Sequence, residues 1–127
     1  MPLPLFRNLR NRLGLGGADL ERAEELYRQG KLADAEQACR ALLGVQPGDY
    51  SVRLLLGRVR LAQNDLAEGG VLLRQAIDSR PASAEPVLAL GAALRDAGRW
   101  QEALALADAA IARGIASADV QVFRAAL

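Results

Sequence analysis

The sequence predicts an all-α protein, an α-solenoid of stacked antiparallel helix hairpins. Three observations carry that prediction. First, like residues recur at intervals of 34: Leu20, Leu54, Leu88 and Val122; Ala23, Gly57, Gly91 and Ala125; Gly30, Asn64 and Gly98; Ala35, Gly69 and Ala103; Pro47 and Pro81. Five rows in one register are the mark of a repeat array. Second, within each period the apolar residues return three and four positions apart, which is helical spacing. Third, 51% of the 127 residues are apolar but only 4% aromatic, with Ala and Leu dominant, a composition that favours helices. A unit of this length cannot bury its apolar face alone, so neighbouring units must stack, and about three are needed for stability.

The N-terminal stretch Met1–Leu15 stands outside the period. Arg7, Arg10 and Arg12, with no acid, give it a charge of +3, against −2 for the remainder of a chain whose formal net charge is +1. Leu5, Leu9 and Leu13 share a face, with Phe6 beside them, so Pro4–Leu13 reads as a short amphipathic helix with a basic side. Ten residues make a marginal helix on their own. Three uses are open to it: packing on the free edge of the first hairpin, serving as a flexible leader, or docking on a membrane or partner. Gly14, Gly16 and Gly17 follow. They fit neither dinucleotide nor P-loop spacing, and no Lys follows them, so they read as a joint. From there one repeat domain runs over residues 16–127, with units at 16–49, 50–83 and 84–117 and a last helix at 118–127.

Asp19 is placed to cap the first helix, with Glu21 in its first turn. The first hairpin is expected over Asp19–Gln29 and Leu32–Gly44, closed by the turn residues Gln46-Pro47-Gly48-Asp49. The second is expected over Tyr50–Gln63 and Leu66–Ser79, bending at Asn64-Asp65. Gly69 and Gly70 both fall inside its second helix. Gly69 belongs to a small-residue row, whereas Gly70 has no packing reason in the sequence and reads as exposed. The third hairpin is expected over Glu85–Ala97 and Arg99–Arg113, bending at Gly98, with Pro86 in a first turn. Its faces are Val87, Leu90, Gly91 and Leu94 on one helix, and Trp100, Ala103, Leu104, Ala107, Ala110 and Ile111 on the other. The small rows, Gly57 and Gly91 above all, let the two helices of a hairpin touch. Ile115 stands where Pro47 and Pro81 stand earlier, so the last turn should differ. Ser117 can cap a final helix, Ala118–Leu127, whose apolar face calls for cover by a second copy or by further residues.

These residues resemble the tetratricopeptide repeat family. Its 34-residue unit carries Leu-Gly in the first helix, Gly at the turn, Ala in the second helix and Pro at the end. Leu90-Gly91, Gly98, Ala103 and Ala110 match best, followed by Leu56-Gly57, Ala76 and Pro81, and the likeness covers Gly16–Leu127. The resemblance implies a groove lined by the first helix of each repeat, with a ligand segment lying along it. Carried onto this chain, that partner-binding groove comprises Leu20, Glu24, Tyr27, Leu54, Arg58, Leu61, Leu88, Ala92, Arg95 and Val122, with Arg28, Ala62 and Asp96 on the same face. The competing reading of the Leu20, Leu54, Leu88 row is core between repeats. A subclass of the family grips acidic chain ends with a clamp of Lys, Asn and Arg. The matching places here hold Leu20, Glu24, Leu55, Glu85 and Ala89, so no such clamp is expected, and an apolar or amphipathic segment suits the groove better.

Much chemistry is excluded. The chain has no His and a single Cys, so His-dependent triads, proton shuttles and metal sites have no ligands. Cys39 lies in an apolar row with Leu73 and Ala107 and reads as core. Adjacent acids such as Glu24 and Glu25 point apart on a helix. Basic residues alternate with acids and aromatics are dispersed, so nucleic acid is not an expected partner. No run is long enough to span a membrane and no signal peptide is visible, which makes the cytoplasm the default location. Of the sixteen basic residues only Lys31 is not Arg, which points to a GC-rich, bacterial gene. No cofactor and no catalysis are expected. The expected role is a non-catalytic protein-interaction module, an adaptor or chaperone-like scaffold. The alternatives are the repeat module of a larger bacterial protein, such as a sulfotransferase or glycosyltransferase, and a self-assembling homo-oligomer joined through the terminal helix.

Overall fold

The structure, a computed structural model, describes residues 17–115 and 118–127. The segment expected at Met1–Leu15 and the cap expected at Ser117 lie outside those residues. Seven helices are described: α1 Gly17–Arg28, α2 Leu32–Val45, α3 Tyr50–Ala62, α4 Leu66–Ser79, α5 Glu85–Asp96, α6 Trp100–Ala112 and α7 Ala118–Ala125. No strand occurs among the described residues. Helices α1 and α2, α3 and α4, and α5 and α6 pack as hairpins, and each hairpin packs on the helix that follows it. This is the α-solenoid that the 34-residue period predicts.

The turn row explains how each hairpin closes. Gly30, Asn64 and Gly98 have φ of 77°, 64° and 78°, the left-handed region in which Gly has no side-chain penalty and Asn a small one. Each donates its N–H to the carbonyl three residues back, and the next residue donates to the carbonyl five back: Lys31 to Leu26, Asp65 to Arg60, Arg99 to Leu94. That pair of bonds is the Schellman motif, which satisfies carbonyls left open at a helix end. The departure expected near Ile115 is also present. Gly114, at φ 92°, ends α6 in the same motif, with Ile115 donating to Ala110, and Ile115 turns into the core. Helices α2 and α4 end instead ahead of Pro47 and Pro81.

Helix starts follow the sequence in part. Asp49 caps α3 by accepting from the Val52 N–H at 3.2 Å, and Asp65 caps α4 by accepting from the Glu68 N–H at 3.0 Å. Pro86 lies in the first turn of α5. Asp19, expected as a cap, falls inside the first turn of α1, because the helix already starts at Gly17. There it acts through its charge near the helix N-terminus.

Two apolar clusters hold the array. One joins Ala23, Ala35, Cys39 and Leu42 of the first hairpin to Val52, Leu55, Leu56 and Val59 of α3. The other runs from Leu54, Leu73 and Ile77 through α5 and α6 to Val120 of α7. No polar or charged residue is buried among the described residues. In the second hairpin the helices approach so closely that a Cβ on Gly57 would lie 2.8 Å from the Leu73 side chain, and one on Gly69 would lie 3.1 Å from the Gly57 carbonyl oxygen. The small row therefore does what its period suggests at Gly57.

Gly91 is different. Its missing side chain makes room for Phe123 of α7, whose Cε1 would stand 2.7 Å from an added Cβ. The contact is with the following helix, not within the hairpin. Gly70, read as exposed, is buried; a Cβ there would meet Leu90 at 3.8 Å, an ordinary contact. On α6 the buried face is Ala103, Leu106, Ala107 and Ala110, while Trp100 and Leu104 are 49% and 37% exposed. At 100° per residue, Trp100, Leu104 and Ile111 sit roughly 60–100° round from Ala103, on a flank beside the seam. One repeat earlier that flank holds Gly70, against Leu90, and buried Ile77.

Candidate functional site

Successive first helices, α1, α3 and α5, touch one another and enclose a cleft of about 720 Å³. Its walls begin with Tyr27 of α1, continue with Arg58, Leu61 and Ala62 of α3, and end with Leu88, Ala89, Ala92, Ala93, Asp96 and Ala97 at α5. Asn64 and Leu66, at the bend of the second hairpin, close one end. The hollow has a simple cause. Helix α5 presents mostly alanines here, where α3 carries Leu55, Arg58, Val59 and Gln63 in the same register. The short side chains of these alanines leave the space between α3 and α5 unfilled.

The ten residues expected in the groove divide evenly. Tyr27, Arg58, Leu61, Leu88 and Ala92 line the cleft. Leu20 is half-buried against the first apolar cluster, and Glu24 is half-buried on α1. Arg95 lies over the Phe123 ring, 5.5 Å from its centroid. Val122 is 68% exposed on α7. Leu54 is the correction: at 7% exposure it belongs to the second apolar cluster, so it offers no surface to a ligand. The apolar floor is made by Leu61 and Leu88 with the α5 alanines, not by an unbroken leucine row. Asn64, Leu66, Ala89, Ala93 and Ala97 were not expected. The run of alanines at 89, 92, 93 and 97, spaced along one helix face, was the available signal.

Charge at the cleft is neutralised within the chain. Arg58 pairs with Glu85 at 2.8 Å, which links α3 to α5. Asp96 accepts from Arg95 at 3.3 Å. Among the described residues no three His, Cys, Asp or Glu side chains gather to hold a metal ion. Cys39 is buried away from the cleft, and burial pushes its thiol up to about 11, against a smaller downward pull from Arg40. A thiol so protonated is a poor nucleophile. The arrangement offers shape, apolar contact and balanced charge to a ligand.

Comparison with known proteins agrees with this architecture. A family model described as Tetratricopeptide repeat matches residues 20–84 and 71–119. No curated protein matches the chain. The two matched segments overlap and take in all three hairpins, so the chain belongs to the tetratricopeptide repeat family.

Proposed function

We propose that this chain is a non-catalytic interaction module that holds an amphipathic segment of a partner protein in the cleft between α1, α3 and α5. Tetratricopeptide repeats generally mediate protein–protein interaction, and no helix among the described residues is long and apolar enough to cross a membrane. The observation that carries the reading is the cleft itself. Leu61 and Leu88 give it an apolar floor, the alanines of α5 give it depth, and Arg58 and Asp96 at its walls already have partners on the chain. Such a surface favours a helix with Leu or Phe anchors three or four residues apart. It has little for a polyanion or a bare carboxylate, because its guanidinium is already spent on Glu85.

A photo-crosslinking amino acid placed at Ala92, inside the cleft, tests the proposal against the same group at Val71, exposed on α4. Covalent adducts with one protein from Ala92 and not from Val71, diminished by Tyr27→Ala and Leu61→Ala, are the expected result. Adducts from Val71 alone would move the binding surface to the second helices.

A further inference from the structure

A second cleft, of about 470 Å³, lies between α4 and α6 over Ile77 and Leu106, walled by Arg74, Asp78, Glu102 and Arg113. Its meaning comes from the repeat. One period earlier, Arg40 on α2 pairs with Glu68 on α4 at 2.6 Å and ties the first hairpin to the second. Thirty-four residues on, Arg74 and Glu102 hold the same two positions on α4 and α6. There the pair is not made. Arg99 donates to both carboxylate oxygens of Glu102, at 2.9 Å for Nη2 to Oε1. Arg74 has no hydrogen-bond or ion-pair partner among the described residues.

The two registers differ first at one position. Where the third hairpin has Arg99, the second has Asp65, which caps α4 and accepts from Arg60. An acid there leaves Glu68 free to face Arg40; a guanidinium there captures Glu102 on its own helix. The companions have changed too. Arg60 and Glu36, which brace the first pair, are replaced one period later by Leu94 and Gly70.

We propose that Arg74 and Glu102 form a second latch, held open by Arg99, whose closing joins α4 to α6 across this cleft. Exposed ion pairs are individually weak, and the Arg99 and Glu102 side chains are about half exposed, so the exchange of partner is reversible. An acidic group that occupies Arg99 releases Glu102 to Arg74. Helices α4 and α6 pack on α3 and α5 respectively, so a change in their separation reaches both main walls of the larger cleft. This inference rests on the fold and its register, and stands whatever that larger cleft binds.

Double-mutant cycles on the full chain test it. With Arg74→Ala and Glu102→Ala, the coupling in the unfolding equilibrium constant should be near unity in the native background and roughly two- to fivefold in Arg99→Gln. Arg40→Ala with Glu68→Ala, whose pair is already closed, should couple in the native background. A distance measurement supplies the second readout. Spin labels at Gln75→Cys and Ala112→Cys, both exposed sites, leave buried Cys39 untouched. Their mean separation should shorten in Arg99→Gln and return when Arg74→Ala is added. Equal coupling of the 74–102 pair with and without Arg99 would overturn the role of Arg99. No coupling in Arg99→Gln would overturn the latch, and coupling with an unchanged distance would overturn the movement of the helices.

Discussion

Gly70 and Gly91 are both helical and both buried, yet a methyl group should have opposite effects at the two. At Gly91 the added Cβ would press within 2.7 Å and 2.9 Å of two Phe123 ring atoms. That ring fills a gap: where Leu73 lies against Gly57, the third hairpin has only Ala107. Phe123 supplies the missing volume from α7, and Arg95 stacks on it. Gly91→Ala should therefore cost about 1–3 kcal/mol by overpacking, and the cost should disappear in a Phe123→Ala background, where the methyl has room. At Gly70 the nearest atom is 3.8 Å away, so Gly70→Ala should stabilise by about 0.5–1 kcal/mol through the lost freedom of the unfolded chain. Denaturant titration of the four variants checks both signs. The sequence showed that both glycines interrupt a helix. It set Gly91 against the other helix of its own hairpin and gave Gly70 no packing partner, and did not show that the neighbour of Gly91 is Phe123 of α7, more than thirty residues away.

At the scale of elements, the first and second hairpins are tied by a network around Arg60. It donates to Gln63 at 2.7 Å and to Asp65, and meets Glu36 at 3.3 Å, while Arg40 bridges Glu36 and Glu68 at 2.9 and 2.6 Å. These contacts contribute to the acid limb of stability. The hydrogen bond from Arg40 is the main cause holding Glu36 below its ordinary 4.5. The Glu68 backbone N–H is the main cause holding Asp65 below 3.8. Both carboxyls ionise more readily in the folded chain than in the unfolded one. Their stabilisation is complete above the unfolded values and is lost as pH falls through the folded ones. The melting temperature should therefore be nearly level from neutrality to about pH 5 and fall below about pH 4. Glu36→Gln should lower the plateau and make the fall shallower. Helix existence and bounds were legible almost throughout, since Gly30, Asn64 and Gly98 fix where each hairpin turns. The face of α6 was legible in part: Ala103, Ala107 and Ala110 were read on it, but Leu106 was missed. Alanine gives a weak apolar signal, so Trp100 and Leu104 drew the reading toward the flank of a helix whose seam is Ala103, Leu106, Ala107 and Ala110.

For the whole molecule, position in the array decides what a repeat residue does. Leu54, Leu88 and Val122 share one register, but Leu54 is covered by the repeat that follows it, Leu88 is half-covered, and Val122 is 68% exposed. A period in the sequence reports which residues are equivalent, not how much lies over each. That is why five of the residues expected in the groove line the cleft, while Leu54 lies in the core. It also changes how the groove must be tested. Leu54→Glu would place an unpaired charge in the core and unfold the chain, so it cannot report on binding, whereas Leu61, Leu88 and Ala92 line open space. Alanine substitution along the row turns this gradient into numbers. Leu54→Ala should cost about 2–5 kcal/mol, as a buried leucine does, and Val122→Ala should stay within about 0.5 kcal/mol, as at an exposed site. Leu88→Ala should fall between them. Each is read from denaturant midpoints at two protein concentrations. If Val122→Ala instead costs as much as Leu54→Ala, Val122 is covered in solution. A loss that then grows with protein concentration would identify the cover as a second copy of the chain, since only association makes stability depend on concentration.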